Sequence, residues 1–158
     1  MARVTRATVV PGPMSTAEAL WFDLDRRSSF LEGFGHLVVV EGDWPAAGAR
    51  VIWAGPPNAK RPRVAETVQH FEARVAQTVA VEDDDTSGTQ TTSFAATSDG
   101  QVRVTVALAW IAKDGNGLKD WTLRRHRRAE ALRRTLARYR IERLSDLDDE
   151  RAREDTAP

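Results

Sequence analysis

The chain has 158 residues, enough for one domain with its own core. Its 41% hydrophobic and 29% charged residues describe a folding sequence. Its 23 basic and 23 acidic side chains cancel, which argues against a dedicated nucleic-acid binder. Cysteine is absent, so disulfides, thiolate metal sites, iron–sulfur clusters and cysteine nucleophiles are excluded. His36, His70 and His126 are the three histidines, too few and too scattered to predict a metal centre, and nothing points to a cofactor. Lysine occurs only at 60, 113 and 119, so arginine carries nearly all the positive charge. The N-terminus lacks the apolar stretch of a signal peptide and no run approaches the ~20 residues of a membrane span, so a cytoplasmic protein is expected.

In chain order, residues 3–10 (RVTRATVV) are β-branched and end at Pro11-Gly12-Pro13, which predicts a strand stopped by breakers. Ser15 with Glu18 three residues on reads as a capping box, opening a short helix through Trp21 and Phe22. A second short helix is expected at about 26–31, before Gly33 and Gly35. From 36 to 112 the period becomes two, with strands at 36–42, 48–54, 63–71, 73–82, 88–97 and 101–112. Short turn-forming links between them, such as Ser98-Asp99-Gly100, predict an antiparallel meander. In the last strand Val102, Val104, Val106, Leu108 and Trp110 fall on one face.

Residues 113–117 end the sheet, and one long helix follows at about 118–144. Its apolar stripe is Leu118, Trp121, Ala129, Leu132, Leu136 and Tyr139. Residues 124–143 hold nine arginines against Glu130 and Glu142, read as a solvated face or, less directly, as a face that contacts the chain's own acidic tail or docks an acidic partner. That face lacks stacking aromatics for nucleic acid and a free apolar side for a bilayer. Residues 145–158 (SDLDDERAREDTAP) are polar and acidic and are expected to be a disordered tail, leaving 3–144 as the domain.

A curved sheet with one apolar face and a helix with one apolar stripe must cover each other. The fold class expected is α+β: a helix-grip in which seven curved antiparallel strands wrap a long C-terminal helix, with two short helices after the first strand. Such layers do not meet everywhere, and the gap is a mostly apolar pocket.

The chain resembles the START-like (Bet v 1-like, SRPBCC) superfamily, of the bacterial polyketide cyclase/dehydrase type. The resemblance covers roughly residues 3–144. It rests on Ala17-Glu18-Ala19-Leu20-Trp21, on Gly42-Asp43-Trp44-Pro45 with Gly48 and Trp53, and on Arg63-Val64-x-Glu66-x-Val68. Gly100-x-Val102-x-Val104 follows, then Leu132-Arg133-Arg134-Thr135-Leu136-x-Arg138-Tyr139 on the closing helix. It implies a cavity for an apolar ligand such as a lipid, a polyketide or another aromatic or polycyclic molecule. It names no universal catalytic residue.

Strand parity supplies the site candidates. If Val64 and Val68 face inward, so do Glu66 and His70, and Gln77 shares a face with Val75 and Val79. A carboxylate on an apolar face needs a partner, so Glu66 is either half of a structural ion pair or a pocket acid or base. His70 is a candidate proton carrier. Arg125, between Trp121 and Ala129, would pair with Glu66, hold a ligand carboxylate, or snorkel to water. Trp53, Trp110 and Trp121 are expected on apolar faces as core and as cavity wall. The first functional expectation is a binder or carrier of an apolar small molecule. The second is a cyclase or dehydratase using Glu66 or His70 as base and Arg125 as donor. The third is a protein-interaction module using the arginine helix.

Overall fold

The structure, a computed structural model, describes residues 1–58, 63–114 and 118–158, with the side chains of 118–120 set aside. Strands β1 (Ala2–Pro11), β2 (His36–Glu41), β3 (Arg50–Ala54), β4 (Arg63–Glu72), β5 (Ala76–Glu82), β6 (Thr86–Ala96) and β7 (Gln101–Ala112) form one antiparallel sheet in the order β1-β7-β6-β5-β4-β3-β2. Helices α1 (Met14–Phe22) and α2 (Arg27–Phe30), joined by the 3-10 turn Leu24–Arg26, lie between β1 and β2, and α3 (Leu118–Thr156) closes the chain. The helix-grip expected from the sequence is what the molecule builds. The expected Leu118 contribution to the stripe, and residues 115–117 of the turn before it, lie outside the described residues.

The sheet is knit by the period-two pattern. Val102, Val104, Val106 and Trp110 of β7 are buried and meet Phe94, Val4 and Val10 of neighbouring strands. Trp21 stacks on Phe30 at 5.6 Å and meets the Tyr139 ring edge-on at 5.2 Å, which fixes α1 and α2 against α3. Two glycines shape the sheet. Gly100 turns β6 into β7 with φ of +78°. A Cβ at Gly88 would lie 2.0 Å from the Ala109 carbonyl oxygen, so only glycine lets β6 press onto β7 there.

Arginines of α3 stitch the sheet's first edge. Arg125 Nε and Arg140 Nε donate to the Arg3 and Val9 carbonyls, each at 3.2 Å. Fully buried Arg143 donates to the Pro11 and Gly12 carbonyls at 3.4 and 3.3 Å and pairs with Glu150 at 3.2 Å. The side of β1 away from β7 would otherwise present unpaired acceptors.

Three expectations are corrected. The helix α1 starts at Met14 with extended Pro13 (φ −78°, ψ 167°) at its N-cap, and Ser15 makes no capping bond. Glu18 instead accepts from the Arg74 backbone N–H, across the sheet end. Residues 145–158 are not a disordered tail, because α3 runs on to Thr156. Asp146 and Glu142 grip Arg26, each at 2.6 Å, and Glu150 reaches Arg143. Acids of this stretch thus find cations two turns away on α3 or in the 3-10 turn before α2. The arginine count on α3 is also more than a solvated face, since three of those arginines serve β1.

Candidate functional site

A cavity of about 100 Å³ opens between α3, α2 and the concave side of β3–β7. Trp21, Phe30, Trp53, Val64, Leu108 and Leu132 give it apolar walls. Arg27, Glu66, Gln90, Arg128 and Thr135 supply its polar groups, and Glu32 stands beside Thr135.

The buried centre is an ion pair. Arg27 begins α2, and Asp23, accepting from the Asp25 N–H at 3.0 Å, sets the turn that precedes it. Consecutive arginines then point opposite ways. Arg26 turns out to Asp146 and Glu142 of α3, while Arg27 turns in and donates Nη1 to Glu66 Oε2 at 2.5 Å. Both inward side chains are 7% exposed. Trp53 Nε1 donates to the same oxygen at 3.0 Å. The β3–β4 register, Val51 opposite Glu66 and Trp53 opposite Val64, places the indole diagonally beside the carboxylate. The Arg27 guanidinium lies 4.9 Å over the Trp44 ring. Glu66 therefore accepts two charge-assisted or indole bonds through one oxygen, which is how a carboxylate persists on an apolar face.

The second cation of the wall is Arg128 of α3. It donates to the Thr86 hydroxyl at 2.7 Å, approaches Asp83 at 3.4 Å and covers the Trp110 ring at 4.8 Å. Burial disfavours the Asp83 carboxylate, but bonds from the Thr86 hydroxyl and the Thr86 and Asp85 N–H groups, with the Arg128 charge, outweigh it and hold its pKa below the ordinary aspartate range. Asp83 in turn fixes Arg128. At the mouth, Thr135 Oγ1 accepts the Glu32 N–H at 3.0 Å, and the Glu32 carboxylate bonds Arg134 and Arg138 at 3.2 and 2.5 Å.

The expected site residues divide. Trp53 and Glu66 line the cavity. Gln77 is buried on the inner side, yet its amide donates to the Pro45 carbonyl at 3.1 Å and holds the β2–β3 loop rather than facing the void. Trp110 is core and does not line the cavity, lying behind it with its ring under Arg128. His70 is exposed and is corrected here: a bulge between Val68 and His70 shifts the β4 register by one, so Phe71, not His70, turns toward the core. Trp121 is 43% exposed, under the Arg125 guanidinium at 5.8 Å. Arg125 does not reach Glu66. At that level α3 leans on the edge strand, and the side chain snorkels to the Arg3 carbonyl. The three acid–base candidates thus do not converge.

Arg27 and Arg128 are the cavity residues that parity missed. Arg128 was accessible in principle, standing four and seven residues before the buried Leu132 and Thr135. Arg27 carried no local signal, because its partner is 39 residues away. Among the described residues no group of three or more His, Asp or Glu is placed to hold a metal ion. No described helix is long and apolar enough to cross a membrane.

No protein-family model matches the chain, and no curated protein does. Solved structures match it over nearly its whole length. A protein of Thermus thermophilus is similar with a TM-score of 0.73 and 19% identity, over 92% of this chain and 99% of its own. A conserved protein of Geobacillus kaustophilus has a TM-score of 0.72 and 9% identity, over 91% and 96%. A protein of Chromobacterium violaceum has a TM-score of 0.68 and 12% identity, over 89% and 96%. At these identities the likeness is one of fold.

Proposed function

We propose that the chain is a START-like small-molecule binder that holds one apolar ligand, with its polar end on the Arg27–Glu66 pair, in the sheet–helix cavity. The carrying observation is a buried, hydrogen-bonded ion pair lining a mostly apolar void whose other polar groups are Gln90, Arg128, Thr135 and Glu32. Ion pairs are weak sources of stability when buried, so a pair retained beside empty space is well suited to orienting a guest. The volume sets the guest's size. Ligand pockets commonly span about 300–1,000 Å³, and a cavity of about 150 Å³ takes one benzene. At about 100 Å³ this one is smaller than that, so it suits a short chain or part of a single ring with a carboxylate, phenol or carbonyl group, the remainder reaching the mouth beside Thr135, and not a polycycle. The cyclase or dehydratase reading ranks second: of Glu66, His70 and Arg125 it keeps only Glu66, whose Oε2 is already engaged.

Titration of the full chain with benzoate, phenol, hexanoate and 2-naphthoate, followed by NMR, tests this. Expected are one-to-one shifts at the Trp21 and Trp53 indoles with a single-ring probe or hexanoate, weaker or absent with naphthoate, and lost in Glu66→Gln. Absence of binding by every probe at about 5 mM, where even a weak site of roughly −4 kcal/mol fills, overturns the reading.

A further inference from the structure

The outer face of α3 carries a line of residues seven apart: Arg127, Arg134, Ile141, Asp148 and Asp155. All five are exposed, and Ile141 is 63% exposed, the most exposed large hydrophobic after Met1. Residues at this spacing share one side of a helix. The line is two cations, one apolar residue and two anions, and charge changes sign about Ile141. Among the described residues Arg127, Asp148 and Asp155 have no ion pair or side-chain hydrogen bond, while Arg134 touches Glu32 and remains 45% exposed on its side chain.

We infer that α3 pairs antiparallel with α3 of a second copy of this chain, Ile141 on Ile141. The occupant follows from the charge order. Turned end for end about Ile141, the line is its own complement: Arg134 meets Asp148 and Arg127 meets Asp155, each pair twice by symmetry. That is the isologous, closed contact of a two-fold dimer. Parallel pairing would set arginine on arginine and aspartate on aspartate. The antiparallel arrangement also opposes the helix dipoles favourably. The inner stripe of α3 stays on the sheet, so the contact needs no refolding and does not depend on what the cavity holds.

The seam between 127 and 155 is about 42 Å long. At a helix width of roughly 10 Å it covers about 400 Å² per partner, below the ~800 Å² of a standard interface. The dimer is therefore weak and held largely by charge, and salt dissolves it.

Sedimentation velocity on the full chain tests this. Dimer is expected at about 0.02 M salt and monomer at about 1 M. Asp148→Arg with Asp155→Arg opposes like charges and weakens association at least tenfold, as does Arg127→Asp with Arg134→Asp. An equimolar mixture of these two variants restores a dimer, because every facing pair is then Arg with Asp. A wild-type chain that stays monomeric at low salt, a dimer indifferent to both variants, or a mixture that stays monomeric overturns the inference. If a charge variant loses its circular dichroism, Ile141→Cys carries the test, since the chain has no other thiol. Mild oxidation should then give a disulfide-linked dimer far faster than with Gln69→Cys, an exposed position on β4. Equal yields overturn it.

Discussion

Two buried arginines, Arg143 on α3 and Arg27 on α2, do different things. Arg143, with no exposed surface, spends its donors on the Pro11 and Gly12 carbonyls and on Glu150, and no void adjoins it among the described cavities. Around it Tyr139 donates to the Ala17 carbonyl at 2.6 Å and the aromatic rings interlock. Arg27 is nearly as buried, but one of its donors goes to Glu66 and the rest of the pair borders a cavity. A buried cation satisfied by backbone locks a fold. A buried cation satisfied by one carboxylate beside empty space is where the proposed guest would sit. Burial alone does not separate the two.

Substitutions can break or sharpen that contrast. The largest effect is expected at Arg27→Met, which strands the Glu66 charge and costs about 3–5 kcal/mol in urea unfolding. Adding Glu66→Leu should recover most of that loss while abolishing binding of any polar-ended probe. If the double variant stays as unstable as the single one, the pair is structural like Arg143. Next comes Arg143→Met, which orphans two carbonyls and costs about 2–3 kcal/mol with cavity binding unchanged. Asp83→Ala follows at about 1–2 kcal/mol, read by the same unfolding curves, because Thr86, two backbone N–H groups and Arg128 lose one acceptor. Its lowered pKa fixes the sign: the contribution is present above about pH 4, the unfolded value, and fades as pH falls through the lower folded value. The smallest is Tyr139→Phe, about 1 kcal/mol near neutrality. Burial raises the Tyr139 phenol well above its ordinary range, with Arg143 offsetting part of the effect. Stability from the neutral phenol is therefore whole below about pH 10 and declines as pH rises beyond it, when the unfolded chain ionises first. The chain has one tyrosine, so its absorbance titration reads this group directly.

The architecture was legible because it is written locally. Each strand carries its own alternation, and turn residues punctuate them, so β2 to β7 fall within a few residues of expectation. The site was legible only where parity survived. Glu66 and Trp53 precede the bulge in β4, and His70 follows it, so one inserted residue separates a correct orientation from a reversed one. Arg27 and Arg125 show the other limit. Both are arginines on helices near apolar residues, and which reaches Glu66 depends on where α2 and α3 lie over the sheet. The acidic end of α3 failed for a third reason: composition counts its acids but not the Arg26 and Arg143 that receive them.

The stitching of β1 has a consequence for how the chain comes together. Its sheet partner is β7, about a hundred residues later, and the carbonyls on its other side are met by Arg125, Arg140 and Arg143 of the last helix. The first strand made thus waits longest for its neighbours to be made. Until α3 has been synthesised, β1 has neither a complete neighbour nor a cover, and the long loop that must close between them makes this a slow step. The middle hairpins can form early, but the molecule becomes one cooperative unit only when its two ends meet.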